Sequence, residues 1–319
     1  MRILTEFAFT PEEARRIQAA APGVELIQCR SRAELLEQVG GAEVIYGSVD
    51  QEILEKARSL KWVQGGAAGV ESLAGLMRSS PVALTNFAGT FAPGISETAM
   101  GMLICLTRGI NRWYVPQFLA RQWKPMGNTK SDHHMEISGR TMGIVGLGGI
   151  GLSVARRAHY GFDMRILATD ARPLAKPHFV AELRDPGWLL EMAAQADVLV
   201  GAAPHTPGTD CLFNEPVFRA MKKTAYFLCL SRGKLIDDRA LVRALQEGWI
   251  AGAGLDVFPQ EPPPADHPIF DCENVVMTMH TSGWSPERQE RLIALFVENV
   301  RRYVGGLPLL NVVEKEQGY

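Results

Sequence analysis

The sequence predicts an α/β protein of two doubly wound parallel-sheet domains, and three observations carry that prediction. Short β-branched or apolar runs alternate with helical patterns along the whole chain. The length, 319 residues at about 150 per domain, fits two domains. Glycine, at 31 residues, and proline, at 19, are abundant for a helical protein and point to many tight strand–helix turns.

In the first hundred residues strands are expected over 2–8, 24–29, 43–48, 61–64 and 82–87. Helical spacing of apolar residues marks 11–20, 33–39 and 51–59 between them. Pro11 is placed for a first helical turn, and Ser31 for a hydroxyl cap. A long helix over 95–107 follows. The stretch 111–138 is less regular: it holds Trp113, Trp123, His133 and His134 and is broken by Pro125 and Gly127. A second series of strands is expected over 141–145, 164–170, 197–203, 224–230, 251–258 and 274–279. An amphipathic helix then runs from Pro286 to about residue 303. The long helix near residue 100 and the helix after 286 are the natural crossings between the two series. One domain is therefore discontinuous, 1–98 with 287–319, and the other spans 99–286.

Composition removes several classes. Hydrophobic residues make up 46% and charged residues 21%, which excludes a disordered chain, a coiled coil and a disulfide miniprotein. Lys and Arg number 33 against 35 Asp and Glu, a net of −2, so nothing draws the chain to nucleic acid or an anionic membrane. The apolar run over 99–106 is far short of the roughly 18–20 residues a membrane span needs. Glu6 interrupts the N-terminal run, so no signal peptide is expected. The cysteines (Cys29, Cys105, Cys211, Cys229, Cys272) are odd in number and show no short metal-binding spacing. They read as reduced thiols of a cytoplasmic protein without a metal, and Cys105 and Cys211 read as core.

The strongest local signal is Gly146-Leu-Gly148-Gly149-Ile150-Gly151, a GxGxxG run between a buried strand (141–145) and a helix (152–159). Asp170 closes the next strand, nineteen residues beyond Gly151. In a Rossmann dinucleotide site Gly146 permits the tight turn, Gly148 lets the backbone approach a pyrophosphate, and Gly151 lets helix and strand pack closely. The helix N-terminus offers N–H groups to the phosphates, and the carboxylate accepts from ribose hydroxyls. A carboxylate at 170 repels a 2′-phosphate, which favours NAD over NADP. Arg172 leaves three placements open: on a 2′-phosphate, over the adenine, or in solvent. Pro204, Arg232, Asp256 and His280 all follow strand ends, so they share the rim on which open α/β sheets bind ligands.

These pieces resemble the D-isomer-specific 2-hydroxyacid dehydrogenases. The resemblance rests on Gly146–Gly151, Ala203-Pro204-His205-Thr206-Pro207, Ser231-Arg232-Gly233, Gly254-Leu255-Asp256-Val257-Phe258, Glu261-Pro262 and His280-Thr281-Ser282-Gly283. Gly65–Val70 and Asn86–Gly89 with Ser96-Glu97 match less specifically. The family implies a Rossmann NAD-binding domain inserted in a flavodoxin-like substrate domain, and a homodimer with Trp123 in the contact segment. It implies that Arg232 binds the substrate carboxylate and polarises the keto oxygen, that His280 is the proton donor and acceptor, and that Glu261 pairs with His280. Asp256 is implied to touch the nicotinamide carboxamide, and the Ala68 and Gly69 amides to hold the carboxylate. Cofactor contacts extend to Pro204, Leu230, Ser231, Arg232, His280 and Gly283. The chemistry needs this set: an alkoxide growing at the reduced carbon calls for a proton and a nearby positive charge. Arg offers a planar fork to a carboxylate, and Glu261 is expected to stabilise the imidazolium.

The implied activity is NAD(P)-dependent reduction of a small 2-keto acid such as glyoxylate or hydroxypyruvate. Small residues at Gly65–Gly69 bring no basic side chain for a phosphorylated substrate, and no regulatory domain is expected after residue 319. Glu at 261 speaks against formate oxidation, which goes with Gln, and the absence of Lys on the glycine-rich turn against phosphite oxidation. Two positions depart from the family. Cys229 stands where Asn is frequent and reads as a buried small residue or a thiol near the site. Trp284 reads equally as a wall of the substrate pocket or as packing under its loop. A dinucleotide-sensing binding protein, like the corepressors that share the fold, is the competing class, and turnover separates the two.

Overall fold

The structure is a computed structural model in which residues 1–124 and 134–318 are described; Pro125, Gly127 and His133 lie outside the described residues. The chain divides into two compact units, Met1–Phe91 with Ser285–Tyr319, and Ala92–Trp284.

In the first unit five strands form one parallel sheet: β1 (Arg2–Thr5), β2 (Glu25–Gln28), β3 (Val44–Tyr46), β4 (Trp62–Gln64) and β5 (Ala83–Thr85). Their order, β2-β1-β3-β4-β5, is that of flavodoxin-like sheets. Helices α1 (Pro11–Gln18), α2 (Arg32–Gln38), α3 (Gln51–Lys56) and α4 (Glu71–Leu76) make the crossovers. Local chemistry starts three of them. Thr10 and Glu13 form a capping box on α1, Ser31 accepts from Glu34 N–H on α2, and Asp50 accepts from Ile53 N–H on α3.

The second unit opens with α5 (Ala92–Thr107), which a π-turn (Ile110–Tyr114) joins to α6 (Val115–Leu119). Its sheet has seven parallel strands: β6 (Thr141–Val145), β7 (Arg165–Thr169), β8 (Val180–Arg184), β9 (Val198–Gly201), β10 (Tyr226–Cys229), β11 (Gly252–Leu255) and β12 (Val275–Met277). The order is β12-β11-β10-β9-β6-β7-β8, the succession of strands reversing between β6 and β9 as in dinucleotide-binding sheets. Helices α7 (Gly149–Phe162), α8 (Leu189–Gln195), α9 (Glu215–Ala220) and α10 (Asp238–Gln246) cover it.

Three features differ from the sequence expectation, the first being Cys211, which is exposed and not part of the core. β8 was not expected, because Val-Ala-Glu-Leu-Arg is rich in helix formers; pairing along the edge of β7 overrides that preference. The boundary expected at 98–99 falls inside α5. That helix buries Ile95, Ala99, Met100, Met102, Leu103 and Leu106, and belongs whole to the second unit. Gly254 of β11 makes room for it: a Cβ there would lie 3.0 Å from Met102 Cβ.

The last helix, α11 (Pro286–Val304), returns to the first unit and lays Leu292, Ile293, Phe296, Val297 and Val300 into its core. Phe296 meets Tyr46 at 4.8 Å and Trp62 at 5.6 Å between ring centres. Burying such a ring is worth about 1.5–3 kcal/mol, so the discontinuous segment holds the first unit together. Among the described residues no helix is long and apolar enough to cross a membrane.

Candidate active site

At the end of β6 the chain turns through Gly146, at φ +91°, so close to Ala203 that a Cβ would lie 2.7 Å from its Cα. Across the turn, a Cβ on Gly151 would meet the Gly146 carbonyl oxygen at 2.0 Å. Gly148 caps α7 without a side-chain hydrogen bond, which leaves the first N–H groups of the helix, including those of Gly149, Ile150 and Gly151, for an anion.

Asp170 follows β7 with its side chain 7% exposed. Its Oδ2 accepts from Leu147 N–H at 2.9 Å, and its Oδ1 from Arg172 N–H at 2.9 Å and Arg172 Nε at 3.3 Å. The Arg172 guanidinium lies on Asp170, beside the glycine turn, and is half exposed to solvent. A carboxylate has about four acceptor positions, so one remains for a ribose hydroxyl. Backbone contacts that demand glycine, an uncapped helix and a nearly full carboxylate together fit a dinucleotide.

The second half of the rim is built around the loop after β12. His280 has φ +53°, a left-handed conformation that a non-glycine residue adopts at a cost of order 1–3 kcal/mol. Two contacts hold it there. Its N–H donates to the Asp256 carbonyl at 2.8 Å, and its Nδ1 lies 2.8 Å from Glu261 Oε2. A carboxylate only accepts, so Nδ1 carries the hydrogen and Nε2 is left to exchange a proton. Glu261 Oε1 accepts in turn from Phe258 N–H at 2.9 Å.

Asp256 is buried, at 3% exposure, and its carboxylate is committed to that same loop. Oδ1 accepts from Thr278 Oγ1 at 2.6 Å, Thr281 N–H at 3.0 Å and Ser282 N–H at 3.1 Å, while Oδ2 accepts from Ser282 Oγ. The contact with a carboxamide expected for Asp256 thus finds the side chain already holding the His280 loop. Gly283 sits in the same turn, against the first turn of α5: a Cβ on Gly94 would come within 3.5 Å of Gly283 Cα.

Arg232 stands between β10 and a short 3-10 turn (Gly233–Leu235), and its Nη1 donates to the Ser231 carbonyl at 2.7 Å. Ser231 is buried and donates through Oγ to Gly201 O at 3.3 Å; Leu230 is buried beside it, and Pro204 lies past the end of β9. Gly233 binds the Arg232 turn to the Glu261 loop, since a Cβ there would lie 1.9 Å from the Phe258 carbonyl oxygen. Cys229 resolves as support. It is fully buried, donates through Sγ to Arg232 O at 3.7 Å, and burial pushes its thiol up to about 12, which makes it unreactive. Trp284 is 69% exposed, so it is not packed under its loop.

Ala68 and Gly69 belong to the first unit, in the loop between β4 and α4. Asn86 Nδ2 donates to Ala68 O at 2.9 Å and Phe87 N–H to Ala67 O at 3.0 Å, while the Ala68 and Gly69 N–H groups donate to no acceptor among the described residues. Gly66 and Ala67 border a cavity of about 370 Å³ at the carboxyl ends of β1, β3 and β4, with Phe7, Ser48 and Arg288. Arg288 adds a basic side chain that the turn residues themselves do not bring. It arrives from the first turn of α11, more than two hundred residues away in sequence, so no local motif could reveal it.

Known proteins share this architecture. Residues 100–282 match the family model for the D-isomer specific 2-hydroxyacid dehydrogenase, NAD binding domain. A glyoxylate reductase of Korarchaeum cryptofilum is 34% identical over 301 residues, 90% of this chain and 87% of that one. A glyoxylate/hydroxypyruvate reductase B of an Enterobacter species is 31% identical over 281 residues, 86% and 85% of the two chains. Among solved structures, an NADPH-dependent glyoxylate/hydroxypyruvate reductase from Sinorhizobium meliloti in complex with NADP and sulfate superimposes with a TM-score of 0.82. It is 27% identical, and the match covers 100% of this chain and 99% of that one. With residues 100–282 matched by the family model and a relative 34% identical over nine-tenths of its length, the chain belongs to the D-isomer specific 2-hydroxyacid dehydrogenase family and is an oxidoreductase.

Proposed function

We propose that the protein reduces a small 2-keto acid, of the glyoxylate or hydroxypyruvate kind, with Arg232, Glu261 and His280 as its catalytic residues. The observation that carries this reading is the 2.8 Å Glu261–His280 pair, with the Arg232 turn packed on the same loop through Gly233. Gly146, Gly148, Gly149, Ile150, Gly151 and Asp170 hold the dinucleotide, with Pro204, Leu230, Ser231 and Gly283 farther along the rim. When bound, the nicotinamide supplies the hydride. Arg232 faces the substrate carboxylate and keto oxygen with a fixed positive charge. His280 delivers a proton to that oxygen through Nε2, and Glu261 keeps the ring oriented. Ala68 and Gly69 are the further proposed substrate-binding residues, and Asp256 orders the loop that carries His280.

Reduced-nicotinamide consumption with glyoxylate, hydroxypyruvate and larger keto acids, each with NADH and NADPH, tests the reading. Turnover of at least one acid is expected. Tight NADH binding with no turnover across the panel would instead point to a dinucleotide sensor.

NAD is the proposed cofactor over NADP, because a carboxylate at Asp170 would repel a 2′-phosphate. Asp170→Ala should narrow the NADH preference in kcat/KM, chiefly by improving NADPH. Removing the carboxylate both lifts its repulsion and frees Arg172, now 3.3 Å from it, for a 2′-phosphate. A wild-type enzyme that prefers NADPH would show that Arg172 decides instead. The proposed state is a cytoplasmic homodimer. Phe118, Leu119 and Trp123 are 80%, 73% and 95% exposed, an apolar strip suited to a second copy, and the five cysteines are free thiols.

A further inference from the structure

The loop that presents Glu261 has an unusual mooring problem. It contains Pro262, Pro263 and Pro264, which have no N–H groups, so three consecutive residues offer no backbone donor to tie it down. Its anchor comes from His267. This residue's N–H closes a turn onto the Pro264 carbonyl at 3.0 Å, and its side chain then makes three contacts. Nδ1 accepts from Ile269 N–H at 3.2 Å and so caps the short 3-10 turn (Pro268–Asp271). With Nδ1 an acceptor, Nε2 bears the hydrogen and donates to Asp238 Oδ2 at 2.9 Å. The ring itself stands edge-on to Phe258, 5.0 Å between centres at 80°.

Each contact leads somewhere useful. Asp238 is the first residue of α10, where the positive end of the helix favours a carboxylate. Its other oxygen, Oδ1, is buried without a hydrogen-bond partner among the described residues, a cost that the link to His267 does not relieve. Phe258 is the residue whose N–H holds Glu261 Oε1.

We propose that His267 is a positioning residue for the proton pair: held between Asp238 and Phe258, it fixes the loop so that the Glu261 carboxylate meets His280. The proposal rests on the reading of Glu261 and His280 given above. It adds a neutral, tautomer-locked histidine behind the reacting one.

The test uses His267→Leu and Asp238→Ala in the full chain, alone and combined with Glu261→Gln. His267→Leu is expected to lower kcat for keto-acid reduction roughly tenfold and to move the basic limb of the pH profile toward lower pH, as Glu261→Gln does. NADH binding, measured by fluorescence, should be unchanged. In the Glu261→Gln background His267→Leu should add little to either quantity, because the group it positions is already neutral. His267→Asn, which can still cap Ile269, should fall between. If His267→Leu does not fold, Asp238→Ala breaks the same link from a helix surface and should show a smaller shift of the same sign. A variant that melts earlier but keeps kcat and both pH limbs would make His267 a structural residue only. Equal effects with and without Glu261 would show that it acts by another route. If Glu261→Gln alone leaves the limbs in place, the proton-pair reading fails first.

Discussion

His280→Gln is expected to lower kcat by roughly 10²–10⁴ in both directions, the usual worth of a positioned acid–base group, while NADH still binds. Glutamine can still hydrogen-bond to Glu261 but cannot take up or release the proton. Glu261→Gln is the companion, and its sign follows from charge alone. Keto-acid reduction needs the protonated imidazole, so its rate falls as pH rises. Removing the negative carboxylate 2.8 Å from Nδ1 destabilises the imidazolium, so that basic limb should move to lower pH. Oxidation of the hydroxy acid needs the neutral ring, and its acidic limb should move to lower pH too. At neutral pH the variant becomes relatively better at oxidation. Rate profiles in both directions decide it: limbs that stay in place would make Glu261 an ordinary loop residue.

Gly233→Ala should be nearly as damaging, although the residue carries no chemistry. An added Cβ would lie 1.9 Å from the Phe258 carbonyl oxygen, 2.1 Å from its carbon and 2.7 Å from Pro259 N. All three are backbone atoms, so no flexible side chain can move aside. Either the Arg232 turn or the Glu261 loop must shift. Overpacking of this kind costs about 1–3 kcal/mol of stability, and a displacement near 1 Å at a reacting group costs roughly 10²-fold in rate. A melting point lower by several degrees is expected, together with a kcat/KM reduced about a hundredfold and NADH affinity close to normal. Activity within twofold of the parent enzyme would mean that the two loops can part without consequence.

Some of this molecule could be read along the chain because the signals are local. Alternating strand and helix patterns marked the two parallel series, and Thr10, Ser31 and Asp50 start their helices with side-chain caps three residues from the N–H groups they hold. The glycine spacing 146–151 was legible for the same reason, since the turn and the helix start are neighbours in sequence. β8 was not, because a strand at a sheet edge is decided by its partner and not by its own residues.

The site divides along the same line. Strand ends could be counted, so Asp170, Arg232, Asp256 and His280 were placed on one rim from the sequence. What their side chains do there depends on residues as far as 26 positions away folding onto them. Asp170 is clasped by Leu147 and Arg172, and Asp256 by Thr278, Thr281 and Ser282. His267 reaches Asp238 across 29 residues, and Arg288 joins the cavity beside Gly66 from the far end of the chain. Fold class, nucleotide turn and reactive residue types can be read along the chain, because periodicity and turn chemistry are set by near neighbours. The partner of each charge cannot, because a buried carboxylate or imidazole bonds to whichever groups packing brings within about 3 Å.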